Sequence, residues 1–252
     1  MALPSPVPSA SAPLSSCEKA VHRLQQARAA KEAGNAALQA GNPRGASFEY
    51  KKVYLYLAEY LPSDVAESTS PVALGTGSGD SGLVRMLQQQ QRRKQQKTVA
   101  AAPVTDKKSS ASPPTAAAAA QLYATTLNNL ALAHMKLGRY QEGVRCATAV
   151  LEQPTLRAAL DASAEQCVSA RFSDTPAGKA LLRRAACCVK LSNWDLAEAD
   201  IRMLRSAASG GATAASGGDA LDAAVVSLAQ AVEQGRKAEA LREKKMMRLM
   251  FA

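Results

Sequence analysis

Two pairs of polar side chains lie four residues apart in segments that read as helix. They are Lys31 with Asn35, and Lys179 with Arg183. Side chains at positions i and i+4 share one helix face, so each pair would present two hydrogen-bond donors together. Such donors suit carboxylates, because Lys supplies a mobile charge and Arg a planar fork. Basic pairs with this spacing are also common on solvated helix faces, so spacing alone leaves both interpretations open.

The sequence contains no pattern that predicts a catalytic or metal centre. The motifs that oxidoreductases, kinases and hydrolases require are absent, so we expect no enzyme and no cofactor. The cysteines are odd in number and include no CxxC pair: Cys17, Cys146, Cys167, Cys187 and Cys188. With two histidines, this set argues against a metal site. It favours a reducing compartment, and we expect the cytoplasm.

Composition favours an all-α protein. Hydrophobic residues make up 47% of the 252 residues, much of it Ala, and aromatics only 4%. Strands prefer β-branched and aromatic residues, so a β-sandwich or barrel is disfavoured. No apolar run is long enough to predict a transmembrane helix.

The formal net charge of +10 is concentrated in two segments. Residues 85–108 carry +6 and residues 236–248 carry +4, so the remainder is neutral. This distribution argues against a nucleic-acid-binding face spread over the fold. The first segment lacks aromatics for base stacking, so we expect a solvated stretch rather than RNA contacts. The second favours a packed capping helix with a solvated basic face, with contact to lipid headgroups as the alternative.

The chain divides into helical hairpins separated by low-complexity segments. We expect a short helix near 83–97 inside the longer insert. The predicted divisions are a disordered leader (1–15), a first hairpin (16–61), a mostly disordered low-complexity insert (62–120), a second hairpin (121–153), a second insert (154–176), a third hairpin (177–208), a Gly/Ser/Ala linker (209–218) and a last helix (219–252).

The three hairpins align with one another as an internal repeat. Small residues recur where two helices would touch, and a turn follows seven residues later. The aligned sets are Gly34, Ala131 and Ala185; Gly41, Gly138 and Ser192; Ala46, Gly143 and Ala197; Tyr50, Ala147 and Ile201; and Val53, Val150 and Leu204.

This pattern resembles the tetratricopeptide repeat, a 34-residue helix–turn–helix unit. The stretches LNNLALAHMKLGRYQEGVRCATAVLE and GKALLRRAACCVKLSNWDLAEAD, and the ending EKKMMRLMF, resemble the three-repeat domain of large FKBP-type immunophilins. Stand-alone proteins of the tetratricopeptide-repeat-protein-nine kind are similar as well. The resemblance covers about residues 20–60, 121–152 and 177–252. It implies a right-handed α-solenoid of three hairpins with a C-terminal capping helix.

The resemblance also implies a binding site. In that family a dicarboxylate clamp grips the C-terminal Glu-Glu-Val-Asp tail of a heat-shock chaperone of the ninety- or seventy-kilodalton class. Its positions match Lys31 and Asn35 in the first repeat, Asn129 in the second, and Lys179 and Arg183 in the third. We therefore expect a non-enzymatic co-chaperone whose concave groove binds such tails. Arg184 would either add to this patch or be solvated.

Besides nucleic-acid binding through residues 85–108, two other functions remain open on sequence grounds. The repeats could form a scaffold for a different complex, for example a cytoskeletal or ciliary one. The chain could also be a remnant or partner of a peptidyl-prolyl isomerase, although the leader is too short to hold that domain. Among the remaining residues, we expect His134 to pack in the core, His22 to lie on the surface, and Trp194 to pack between helices.

Overall fold

The computed structural model describes residues 16–70, 113–164, 175–209 and 219–251. These segments contain helices and no strand, which confirms the predicted all-α class. The predicted disorder of the leader and the predicted helix near 83–97 lie outside the described residues. The helices are α1 (Ser16–Gln39), α2 (Pro43–Leu57), α3 (Ser63–Ser68), α4 (Pro113–Lys136), α5 (Tyr140–Glu152), α6 (Pro154–Ala164), α7 (Pro176–Lys190), α8 (Trp194–Ser209) and α9 (Asp219–Met250).

Three helix pairs, α1–α2, α4–α5 and α7–α8, are joined by turns of the same conformation. The backbone has positive φ at the turn position of each pair, namely Gly41 (76°), Gly138 (71°) and Ser192 (58°). In the first turn, the Gly41 N–H donates to Leu38 O and the Asn42 N–H to Ala37 O. The corresponding bonds recur in the other two turns. This pairing is the Schellman motif, which satisfies the last carbonyls of a helix and reverses the chain.

Apart from the turn residues, the aligned positions of the three pairs are buried. Gly34 is buried, and a Cβ there would collide with the ring of Tyr50, so α1 and α2 approach closely at this point. Corresponding side chains on the second helices are all buried: Ala46, Tyr50, Val53, Ala147, Val150, Ala197, Ile201 and Leu204. The aligned positions of the second helices are therefore core positions in all three pairs.

Successive pairs pack on one another. The second helix of one pair contacts the first helix of the next, α2 against α4 and α5 against α7, while α9 covers α7 and α8. The first helices also touch in sequence, α1 with α4 and α4 with α7. This stacking is what brings residues from α1, α4 and α7 to one surface.

Parts of the two predicted inserts are folded. Helix α4 begins at Pro113 rather than Gln121, and Ala119 and Ala120 are buried. Alanine has the highest helix propensity, so the Ala run extends the helix. In the second insert, α6 buries Leu156 and Leu160 against the core.

The start of the first insert also belongs to the core. Residues 62–70 include α3, whose Val65 is buried. The hydroxyl of Tyr123 donates to the Thr69 carbonyl at 2.7 Å, and that of Tyr54 donates to the Ala66 carbonyl at 2.7 Å. Two tyrosines from α2 and α4 therefore fix this segment.

Helix α9 packs over its first half only. Val225 and Val232 are buried, and the ring of Trp194 lies where a Cβ on Gly235 would be. This confirms that Trp194 packs between helices. From Ala240 to Phe251 every side chain is exposed, unlike the packed capping helix predicted over the whole segment. Among the described residues, no helix combines the length and apolar character needed to cross a bilayer.

Candidate functional site

The centre of the candidate site is a hydrogen-bonded group on α1, α2 and α4. The Asn129 side-chain amide donates to Asn35 Oδ1 at 2.9 Å, and the Tyr50 hydroxyl donates to the same oxygen at 2.8 Å. Both bonds end on the amide oxygen of Asn35, so its orientation is set by two neighbours. The structure thus brings together two of the five predicted residues from separate helix pairs.

Arg183 joins this group from α7. Its Nη1 donates to the main-chain carbonyl of Asn128 at 2.5 Å. The guanidinium also lies close enough to the Tyr50 hydroxyl for each group to affect the pKa of the other. Burial is the larger influence on both: it raises the pKa of Tyr50 and lowers that of Arg183. At neutral pH the phenol is protonated and the guanidinium charged.

Each of the two predicted lysines precedes a residue of this centre on its own helix. Lys31 lies one helical turn before Asn35, and Lys179 one turn before Arg183. Lys31 is half-buried, and burial, followed by the nearby charges of Glu32 and Arg28, gives it a net lowered pKa. Lys179 is exposed. Neither lysine hydrogen-bonds to the other three predicted residues within the described segments.

The neighbouring arginines of α7 have opposite roles. Arg184 is buried, with Nε 2.9 Å from Asp200 Oδ2 and Nη2 2.6 Å from Asp200 Oδ1. Its Nη1 also donates to Thr148 at 3.3 Å. The expectation that Arg184 adds to the binding patch or is solvated is therefore wrong. A turn of 100° per residue sends it into the interface of α5, α7 and α8 instead.

The site combines positive charge with few internal counter-charges. In the described part of the chain, Lys31, Lys179 and Arg183 have no carboxylate within salt-bridge distance, whereas Arg184 has a bidentate one. A half-buried guanidinium without a counter-ion is unfavourable unless a ligand supplies the charge. The arrangement of three cations around an amide pair can therefore bind a carboxylate group.

Two residues of the site were not predicted. Tyr50 was aligned with Ala147 and Ile201 as a packing position, although its hydroxyl is the one polar group in that set. Asn128 was passed over in favour of its neighbour Asn129. It donates from Nδ2 to the Pro176 carbonyl at 2.7 Å, which holds the start of α7 against α4. The sequence signal for the role of Asn128 was its position next to Asn129.

Other candidate groups are structural. His134 is fully buried, and neither ring nitrogen has a hydrogen-bond partner among the described residues. Burial, followed by the charges of Lys51 and Arg139, lowers its pKa to about 4. Cys146, Cys187 and Cys188 are buried thiols. Across the described segments, no cluster of three or more His, Cys, Asp or Glu residues could hold a metal ion.

The chain matches no protein-family model, no curated protein and no solved structure.

Proposed function

We propose that the protein is a non-enzymatic adaptor that binds an acidic peptide tail through its free terminal carboxylate. One observation carries this proposal: Arg183 is half-buried and donates to the Asn128 carbonyl, and within the described residues it has no carboxylate at salt-bridge distance. The residues around it supply hydrogen-bond donors and positive charge, with no nucleophile or general base among them. A bound carboxylate would satisfy those donors and replace the missing counter-charge.

The fold that we propose for this function is a right-handed solenoid of three tetratricopeptide-repeat hairpins with α9 as its cap. The repeated turns and the repeated packing positions support it. In such a stack the first helices of the pairs line the concave side. Helices α1, α4 and α7 are these first helices, and they carry all five predicted residues.

The ligand that fits best is the C-terminal tail of a heat-shock chaperone ending Glu-Glu-Val-Asp. Its last residue offers two carboxylates, which matches a site with several donors on three helices. The protein would then act as a cytoplasmic co-chaperone. Its affinity should be on the order of micromolar, about 8 kcal/mol. Added salt should weaken binding, because the charges at the edge of the site are accessible to ions.

Calorimetric titration with a peptide ending Met-Glu-Glu-Val-Asp tests the proposal. The Lys179→Ala variant should weaken binding roughly tenfold or more, because a hydrogen bond to a charged group contributes about 1.5–3 kcal/mol. Lys190→Ala is a matched control, since Lys190 is also exposed and lies on the same helix. Equal losses in both variants would mean that the tail responds to overall charge, and the proposed site would be wrong.

The alternatives give different results. A scaffold for a cytoskeletal or ciliary complex would ignore the peptide at hundreds of micromolar. A partner or remnant of a prolyl isomerase would be distinguished by isomerase activity, which the proposed adaptor lacks.

A further inference from the structure

The end of α9 separates charge from apolar surface. Residues 244–251 contain three cations and no acid. Lys244 and Lys245 lie four and three residues before Arg248, so the three cations fall within about 100° of the helix circumference and share one face. The Phe251 N–H donates to Met247 O at 3.2 Å, so the helical path includes this residue. The same three- and four-residue spacings connect the apolar stripe, which consists of Met246, Met247, Leu249, Met250 and Phe251.

The apolar stripe is not covered by the rest of the described chain. Its five side chains are between 61% and 87% exposed. Helix α9 contacts the start of α8 as far as Glu239. The carboxylate of Glu239 accepts a 2.5 Å hydrogen bond from Trp194 Nε1, at the first residue of α8. The eleven residues from 240 to 250 project beyond this point, about 16 Å at 1.5 Å per residue.

We propose that this end of α9 binds an anionic lipid surface. The stripe would insert at the boundary between headgroups and acyl chains, and the three cations would lie against lipid phosphates or carboxylates. A cationic face opposite an apolar one is the pattern of helices that lie in a membrane interface. The net charge of +4 over residues 236–248 provides the complementary attraction.

The short stripe favours a lipid surface over a groove in a protein. A helix bound in a groove carries apolar anchors over several turns. Here the stripe does not continue toward the start of α9, because Arg242 and Glu243 lie one turn before Met246 and Met247. Leu241, the other large exposed apolar residue nearby, shares the cationic face. A planar interface needs only the one apolar patch that is present.

Sedimentation of the full chain with vesicles tests this proposal. Vesicles of phosphatidylserine and phosphatidylcholine should bind the protein, and vesicles of phosphatidylcholine alone should bind it far more weakly. Replacement of Lys244, Lys245 and Arg248 by Gln should reduce partitioning roughly 100-fold, at about fivefold for each cation. The double variant Leu249→Ser, Met250→Ser should also reduce it. A matched control replaces three exposed arginines of other helices, Arg23, Arg157 and Arg205, by Gln.

The control variant, with Gln at positions 23, 157 and 205, should retain most of the binding to anionic vesicles. Partitioning that the α9 variants leave unchanged would assign the attraction to another segment, such as the basic residues 85–108, and would overturn the proposal. Absence of binding to anionic vesicles would also overturn it and would leave a protein with an acidic, apolar groove as the alternative occupant. The residues changed lie outside the carboxylate site, so peptide binding should be the same in all variants.

Discussion

The Asn129 side chain donates a 2.9 Å hydrogen bond to Asn35 Oδ1 across 94 residues of sequence. This bond links α1 to α4, and Tyr50 adds a second bond to the same oxygen. Both bonds use the oxygen of the Asn35 amide. Within the described residues its nitrogen has no hydrogen-bond acceptor, so both N–H groups are available to a ligand. Arg183 lies beside Tyr50, so donors from three helix pairs are arranged before any ligand binds.

Tyr50 should act as a positioning residue for this site. Tyr50→Phe removes the hydroxyl bond to Asn35 and should weaken binding of the Glu-Glu-Val-Asp peptide about three- to tenfold. Stability should fall by about 1 kcal/mol, the usual net value of one hydrogen bond. Tyr54→Phe is the matched control, because it removes a bond of similar length to Ala66 that lies outside the site. A larger loss of peptide affinity for Tyr50→Phe than for Tyr54→Phe, measured by calorimetry, supports the positioning role of Tyr50. Equal losses contradict it.

The Arg184–Asp200 pair should be essential for stability but not for binding. Asp200→Ala leaves a buried guanidinium without its carboxylate and should lower the free energy of unfolding by about 3–5 kcal/mol. Asp195→Asn also breaks an arginine pair, but that pair is exposed and should contribute less than about 1 kcal/mol. Replacing both partners, Arg184→Met with Asp200→Leu, should restore most of the loss. Urea denaturation measures all three variants, and a mild effect of Asp200→Ala would contradict the burial seen here.

Protonation of His134 should destabilise the fold in acid. Its pKa is about 4 in the folded chain, against an ordinary value near 6.5. The unfolded state therefore binds the proton first as the pH falls, and stability is lost between about pH 6.5 and 4. The free energy of unfolding should fall by up to about 3 kcal/mol over this pH range.

His134→Leu should remove this part of the pH dependence of unfolding, whereas His22→Gln should leave it in place. His22 is the only other histidine and is exposed. An identical pH dependence in the wild-type chain and the His134 variant would show that other groups are responsible.

Replacing Ser192 by glycine should make the fold more stable. A non-glycine residue in the left-handed region is disfavoured by roughly 1–2 kcal/mol. Ser192→Gly relieves this strain but loosens the unfolded chain, so a net gain of about 0.5–1 kcal/mol is expected. Gly138→Ala should have the opposite sign, because its φ is 71° and no atom lies near the added methyl. A lower urea midpoint for Ser192→Gly would contradict this explanation.

The sequence predicted the features that depend on local spacing. The turns at Gly41 and Gly138 follow from the freedom of glycine at positive φ, and the helix pairs follow from their apolar periodicity. It did not predict α6, because a proline after a helical pattern predicts the end of that helix. Proline also suits the first turn of a helix, and Leu156 and Leu160 have the i,i+4 spacing of a buried face.

Long-range pairing explains most of what was missed at the site. Arg183 and Arg184 are chemically identical neighbours, and the sequence does not show that Arg184 is the one that pairs with Asp200 on α8. Likewise, the role of Tyr50 depends on Asn35, which lies on a different helix. Composition and periodicity carry no information about such partners. The exposed end of α9 was also missed, since an amphipathic pattern does not show whether the apolar face is covered.

The most direct test of the central claim compares a free-acid peptide ending Met-Glu-Glu-Val-Asp with the same peptide amidated at its terminus, by calorimetry with the full chain. The account predicts micromolar binding of the free acid and at least a tenfold loss on amidation, because the terminal carboxylate supplies the missing counter-charge for Arg183. Equal affinity for both peptides, or no binding of the free acid at hundreds of micromolar, would contradict it.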